Sequence, residues 1–226
     1  MLPLILSGFL AAAAAAPPSP LEMARDQQDR PALERMLNDS AAVAAKAPND
    51  AEAQYRAALA ASYLAGVDVE LHEKKPAHDV AERGIVFAEK AVSLKPDNGE
   101  YLRVLGTLYG QAVADLMSGL RYGAKAKDTL SRAVEKSPKS SMVYVARGVG
   151  NLYLPVQLGG GPPAAIPDFQ KAIELDPKNA EAYAYLGLSL RDEHKDAEAR
   201  QAFTRALELN PKRIWVKQQL DKTPAK

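Results

Sequence analysis

The chain of 226 residues contains no cysteine. It therefore forms no disulfide and no thiolate metal site, and it has no cysteine to carry an N-terminal lipid anchor. An excess of one charge is also missing, because 29 lysine and arginine residues are balanced by 28 aspartate and glutamate residues. No long block of like charges stands out along the chain. Without a strong positive field, nucleic acid is not an expected partner.

Apolar residues make up 47% of the sequence and charged residues 25%, which is typical of a folded protein. The N-terminus reads MLPLILSGFLAAAAAAPPSP, an apolar stretch followed by alanines and a proline-rich break. This pattern predicts a signal peptide over residues 1–16 and export to the periplasm or out of the cell, although no lysine or arginine precedes the apolar stretch. A retained N-terminal anchor is the alternative, and it would be the only membrane contact.

Residues 180–213 carry small, aromatic and apolar residues at fixed spacing. The positions are Tyr183, Leu186, Gly187, Leu190, Ala199, Phe203, Ala206 and Pro211. Gly187 and Ala199 are small enough to let two antiparallel helices approach closely, and Phe203 fills the seam between them. Pro211 ends the second helix because it has no backbone N–H to donate. The stretch therefore predicts a helical hairpin rather than an active site.

Weaker copies of this hairpin precede it, each closed by a proline. The closing prolines are Pro48, Pro96, Pro138, Pro177 and Pro211, and their spacing shortens towards the C-terminus. The second helix keeps a constant register against its proline, so the extra length must lie before that helix. We expect a longer first helix in the first two units, reaching Leu71 and Met117 respectively. In the third unit Pro155 breaks the helix, which predicts a loop over 154–163.

This spacing resembles the tetratricopeptide repeat (TPR) family. The resemblance implies a right-handed superhelix in which the first helix of each unit lines a concave groove that binds peptides, disordered tails or other domains. The predicted fold is an all-α, TPR-type α-solenoid of about four helical hairpins with lengthened N-terminal repeats. Residues 17–50 are expected to form capping helices or a degenerate half-repeat, residues 51–213 the solenoid, and residues 214–226 a capping helix and tail. After Pro211 we expect Arg213 to face water.

The register of the first helices predicts which side chains line the groove. They are Arg103, Thr107, Val145, Val149, Leu152, Ala184, Leu188 and Arg191. The Lys and Asn positions with which some TPR domains bind a partner's C-terminal carboxylate correspond here to apolar residues, so that clamp is not expected. We expect a protein or peptide partner with an apolar or helical segment, and Arg103 and Arg191 at the edges for an acidic group. The alternative is that the long helices and the C-terminal cap fill the groove from within.

Candidate catalytic residues are few. His72 and His78 have acidic neighbours, but they lack the spacing that places two histidines on one helix face. Residues 159–161 are three glycines without the Lys-Ser/Thr ending of a phosphate loop. Carboxylates such as Glu181 are expected to be surface charges. The sequence therefore predicts no enzyme activity, no metal and no cofactor.

The predicted function is a non-catalytic protein-interaction scaffold of the bacterial envelope. The combination of export, lengthened helices and the break over 154–161 also resembles the periplasmic T components of tripartite ATP-independent (TRAP) transporters. Many members of that group are lipid-anchored, and this sequence has no cysteine to carry the lipid, so it departs from their pattern. A transport accessory that docks a solute-binding protein or holds a small ligand is therefore the alternative, and a structural factor in envelope assembly is a further one. The oligomeric state stays open.

Overall fold

The structure is a computed structural model that describes residues 18–225, so the predicted signal peptide at residues 1–16 lies outside it. Within 18–225 there are eleven α-helices, one short 3-10 turn and no β-strand. The helices are α1 (Pro20–Asp26), α2 (Arg30–Lys46), α3 (Ala51–Glu70), α4 (Lys74–Leu94), α5 (Gly99–Gln111), α6 (Leu116–Lys136), α7 (Ser141–Tyr153), α8 (Pro162–Leu175), α9 (Ala180–Asp192), α10 (Asp196–Leu209) and α11 (Ile214–Lys222). The prediction of an all-α fold is confirmed.

Successive helices pack as antiparallel hairpins, α1/α2 to α9/α10, and α11 covers the last hairpin. We call the first helix of each hairpin the A helix and the second the B helix. A helices of successive hairpins pack against one another, α1 on α3, α3 on α5, α5 on α7 and α7 on α9, so they form the inner layer. The predicted solenoid is therefore observed. The A-to-B turns at Gln28, His72 and His194 share a left-handed backbone, which marks α1/α2 as a hairpin of the same type.

One seam recurs in three hairpins, where a glycine on the A helix meets a large side chain on the B helix. A Cβ atom on Gly148 would lie 2.5 Å from Cε1 of Phe169, and one on Gly187 would lie 2.9 Å from Cδ1 of Phe203. Gly106 approaches Leu130 in the same way, at 2.7 Å from Cγ. Both phenylalanines are completely buried. The close approach that the sequence predicts for Gly187 is thus a shared feature of the seams.

The prediction of a longer first helix in the second TPR-like unit is wrong. Its A helix, α5, ends at Gln111, and the added residues extend the B helix, α6, which begins at Leu116. The reason is a capping box: the Asp115 carboxylate accepts from the Ser118 amide at 2.8 Å, and the Ser118 hydroxyl accepts from the Asp115 amide at 2.9 Å. The apolar stripe from Tyr101 to Met117 therefore belongs to two helices.

The other two lengthened units agree better with the sequence. In the first, α3 and α4 have 20 and 21 residues, so both helices are long. In the third, α7 ends at Tyr153 and α8 begins at Pro162, with a 3-10 turn between them at Val156–Leu158. The predicted break at Pro155 is observed. None of the helices within 18–225 is both long enough and apolar enough to cross a membrane.

Candidate functional site

The eight residues predicted to line the groove are all at least partly covered. Five are buried and three are half-buried, so no side chain in the set is freely exposed. The buried ones are Arg103, Val145, Leu152, Ala184 and Leu188. Their role in binding a partner stays a prediction.

Most of the apolar members of this set hold neighbouring hairpins together. Val145 packs with Ala172 and Ala182 between the third and fourth TPR-like hairpins. Leu152 and Leu188 belong to a larger core that contains both buried phenylalanines and Trp215. These side chains therefore act first as the core of the solenoid, and an acidic substitution at Leu188 would disturb that core.

The two predicted edge cations already have partners within the chain. Arg103 donates to both carboxylate oxygens of Glu100, at 2.7 and 2.6 Å, and Glu100 also accepts from the Tyr55 hydroxyl at 2.8 Å. Burial alone would raise the pKa of Glu100, but the hydrogen bonds from Arg103 lower it overall. Arg191 donates to Oε1 of Gln219 on α11 at 3.0 Å.

A cluster of buried charges joins the two ends of the solenoid. We call it the closure cluster, and it consists of Arg25, Asp26, Glu70, Glu181 and Arg213. Asp26 and Glu70 are the last residues of α1 and α3, Glu181 lies in the first turn of α9, and Arg213 precedes α11. The side chains of all five are between 3% and 15% exposed.

Arg213 is the centre of this cluster. It donates to Oε1 of Glu181 at 2.9 Å and to both oxygens of Glu70, the longer contact being 3.1 Å. Arg25 pairs with Asp26 at 2.6 Å and lies 3.4 Å from Glu181. Burial opposes ionisation of Glu181, yet Arg213 and Arg25 outweigh it and lower its pKa to about 2. Glu70 and Glu181 likewise hold the pKa of Arg213 above its ordinary value in spite of burial.

Two interpretations of the sequence are corrected here. The sequence predicts Glu181 as a surface charge and Arg213 as facing water, but Arg213 is 3% exposed and both are paired in the closure cluster. The sequence gives little warning of this cluster, because its members are scattered along the chain and look like ordinary solvated charges. They meet because the N-terminal ends of α9 and α11 lie against the C-terminal ends of α1 and α3.

Tyr63 on α3 lies next to the closure cluster. The Arg25 guanidinium lies 5.2 Å from the centre of the Tyr63 ring on α3. Burial raises the pKa of Tyr63, and Arg25 and Arg103 only partly offset this effect. Tyr63 thus packs beside α1. Whether the groove is open or filled from within stays a prediction.

A second surface is apolar and exposed. It lies along the edge where the A-to-B turns are found, and we call it the apolar edge. Its members are Val113, Leu116, Met117, Leu120, Tyr153, Val156 and Leu158. Leu116, Met117 and Leu120 are each more than 70% exposed at the start of the lengthened α6. The opposite edge carries the polar turns that contain the closing prolines.

The candidate chemical groups have structural roles. Within the described residues no three histidine or acidic side chains come together as a metal site. The ring of His78 makes a 2.6 Å hydrogen bond to the carbonyl oxygen of Ala112 at the end of α5. Gly159 and Gly161 adopt positive φ angles of 81° and 86°, which favour glycine, and so they close the α7–α8 turn.

The geometry agrees with known proteins of the same kind. A family model described as tetratricopeptide repeat matches residues 168–201. A TPR protein of Thermus thermophilus, TTC0263, is 19% identical, with a TM-score of 0.54 over 84% of this chain and 97% of that one. The HusA haemophore of Porphyromonas gingivalis is 20% identical, with a TM-score of 0.54 over 77% of this chain and 94% of that one.

At these identities the two structures establish the fold alone. A comparison with curated proteins finds no match. The predicted tetratricopeptide repeat is confirmed over residues 168–201, which match the family model. The predicted all-α solenoid is confirmed over residues 18–225, whose fold is similar to that of solved tetratricopeptide-repeat proteins.

Proposed function

We propose that the chain is a non-catalytic protein-interaction module of the bacterial envelope that binds a protein or peptide partner at its concave surface. The observation that carries this proposal is the single inner layer of A helices in a TPR-type solenoid. Such a layer presents side chains from several hairpins to one ligand, which is how repeat proteins bind extended partners. The predicted signal peptide supports the envelope location.

The half-buried members of the predicted groove are the places where a partner has access. Thr107 and Val149 lie on α5 and α7 and are neither fully buried nor freely exposed.

Site-specific photo-crosslinking in the cells that make the protein tests this surface. A photoreactive amino acid is placed at Thr107 or Val149, and at Val86 on α4, which is 66% exposed, as the matched control. We expect one partner to be crosslinked from the two groove positions and not from Val86. Equal yields from Val86 and from the groove would show that the concave surface is not the binding site.

The envelope location needs its own measurement. Cell fractionation with an antibody to the full chain, followed by the mass of the purified protein, reports both location and processing. We expect the envelope or secreted fraction and a loss of residues 1–16. A cytoplasmic protein of full mass would contradict export and leave the interaction role untouched.

The apolar edge favours a second candidate function, a transport accessory that docks a solute-binding protein. Exposed large apolar residues that lie together often mark a protein-binding surface. The same photoreactive amino acid at Leu116, Leu120 or Val156 separates the two roles. A solute-binding protein crosslinked from these positions, with no product from Val149, would support the accessory role over binding in the groove.

A further inference from the structure

Helix α1 is a small unit with its own cap. It has seven residues, and Ser19 and Glu22 form a capping box: the Glu22 carboxylate accepts from the Ser19 amide at 2.7 Å, and the Ser19 hydroxyl accepts from the Glu22 amide at 3.2 Å. Only Ala24 and Asp26 of this helix are buried. Gln28, with a φ of 53°, separates it from α2. Helix α1 is therefore a separately capped unit, and Gln28 marks its boundary with α2.

The buried polar groups of α1 meet parts of the chain that are remote in sequence. The Arg25 guanidinium lies over the Tyr63 ring and 3.4 Å from the Glu181 carboxylate. The Asp26 carboxylate accepts from Nδ2 of Asn210 at 2.7 Å and lies 3.7 Å from Nε of Arg213. The surface that contacts α1 thus has two adjacent binding features. The Tyr63 ring and the Glu181 carboxylate can bind a cation, and Asn210 and Arg213 can donate hydrogen bonds to a carboxylate.

We propose that α1 is the internal occupant of the partner site, an inference that rests on the proposed function. The partner presents a short helix with adjacent basic and acidic side chains, takes the place of α1, and pairs with the groups that Arg25 and Asp26 now satisfy. Those groups are Tyr63, Glu181, Asn210 and Arg213. Because buried polar groups are costly to leave unpaired, the state without α1 is rare until a ligand of the same chemistry occupies the site.

This arrangement makes binding a competition between α1 and the partner. A tethered helix acts at an effective concentration on the order of millimolar, so a free ligand of equal strength binds the wild-type chain poorly. A change that ejects α1 removes that competition. The site then binds the same ligand more tightly without any new contact.

The probe is a fluorescein-labelled peptide of residues 19–27, SPLEMARDQ, titrated into the full chain up to about 5 mM, the scale on which a tethered segment competes. Ala24→Glu ejects α1, because it would bury an unpaired charge where Ala24 is 6% exposed. Ala42→Glu, on the exposed face of α2, is the matched control. Fluorescence anisotropy measures binding. The emission of Trp215, the only tryptophan, reports on Arg213, whose guanidinium lies 5.4 Å from its ring.

We expect the Ala24→Glu chain to bind the peptide at least about ten-fold more tightly than the wild-type and Ala42→Glu chains. A peptide with Arg25→Ala and Asp26→Ala should bind at least about ten-fold more weakly. If Ala24→Glu fails to fold by circular dichroism, a full chain with Arg25→Ala and Asp26→Ala serves in its place. Equal peptide binding by all folded chains, or no binding to a folded chain with α1 released, would overturn the inference.

Hydrogen exchange of the wild-type chain tests the release of α1 directly. We expect the amides of α1 to exchange at least about a hundred-fold faster than those of α5, through an opening that leaves the rest folded. Equal protection of α1 and α5 would overturn the inference, because α1 would then leave only on global unfolding. A partner crosslinked from Val149 with equal yield in the wild-type and Ala24→Glu chains would leave the proposed function intact and reject the role of α1.

Discussion

Asn210 donates a hydrogen bond of 2.7 Å to the carboxylate of Asp26, a residue 184 positions earlier in the chain. In a solenoid, contacts are usually confined to neighbouring repeats, so a contact between the first helix and the last hairpin shows that this one closes on itself. Gln218 donates to Gln28 at 3.2 Å across the same junction. Because of this closure, each end of the solenoid contributes to the stability of the other end.

The first prediction concerns Arg213, which pairs with Glu70 and Glu181 while 3% exposed. Arg213→Ala leaves these carboxylates buried without their cation, and we expect a loss of about 3 kcal/mol in the free energy of unfolding. Urea denaturation followed by circular dichroism measures it. Arg56→Ala is the control, because Arg56 is 71% exposed in its pair with Glu52 and should cost less than about 1 kcal/mol. Similar losses in both variants would contradict a buried closure cluster.

The second prediction is a dependence of stability on acid. The pKa of Glu181 is about 2 in the folded chain and 4.5 in the unfolded one, so its ionised form stabilises the fold above pH 4.5. This contribution, at most roughly 3 kcal/mol, is lost as the pH falls from 4.5 towards 2. Glu181→Gln should be less stable at neutral pH and should lack this part of the acid dependence. Urea midpoints measured at several pH values for the wild-type and Glu181→Gln chains test this prediction. Midpoints that change with pH in the same way for both chains would contradict it.

The third prediction concerns the helix seams. A methyl group at Gly148 would lie 2.5 Å from the buried Phe169 ring, so Gly148→Ala should destabilise the fold by about 1–3 kcal/mol. Gly110→Ala is the matched control, because a Cβ atom there meets nothing within 4 Å. In that helix position alanine should be neutral or stabilise by up to about 1 kcal/mol. The melting temperatures of the two variants, measured against the wild-type chain, should shift in opposite directions or differ clearly. Equal shifts would contradict a tight seam.

The fourth prediction compares a buried and an exposed large side chain. Phe203 is completely buried between α9 and α10, so Phe203→Ala should cost about 3–5 kcal/mol through the cavity that it leaves. Leu116 is 78% exposed on the apolar edge, and Leu116→Ala should change stability by less than about 0.5 kcal/mol. Urea denaturation measures both. A large loss at Leu116 would mean that the apolar edge is covered, for example by a second copy of the chain.

Local sequence patterns determined most of the architecture. The spacing of Gly187, Phe203 and Pro211 predicts a helical hairpin because each residue acts on its own helix or on the adjacent one. The break at Pro155 is local for the same reason. The division of length between α5 and α6 was also encoded, in the capping pair Asp115 and Ser118, but the continuous apolar stripe obscured it.

The closure of the solenoid was decided by the tertiary structure alone. Arg25, Asp26, Glu70, Glu181 and Arg213 show no periodicity that marks them as buried, and each is an ordinary surface residue type. Whether they meet depends on the superhelical twist. This twist is the sum of small rotations between successive hairpins, so no single hairpin determines it. The amino-acid sequence by itself therefore specified the hairpins and their order, while only their stacking in three dimensions brought the charges of α1 to Glu181 and Arg213 and buried five of the eight predicted groove residues.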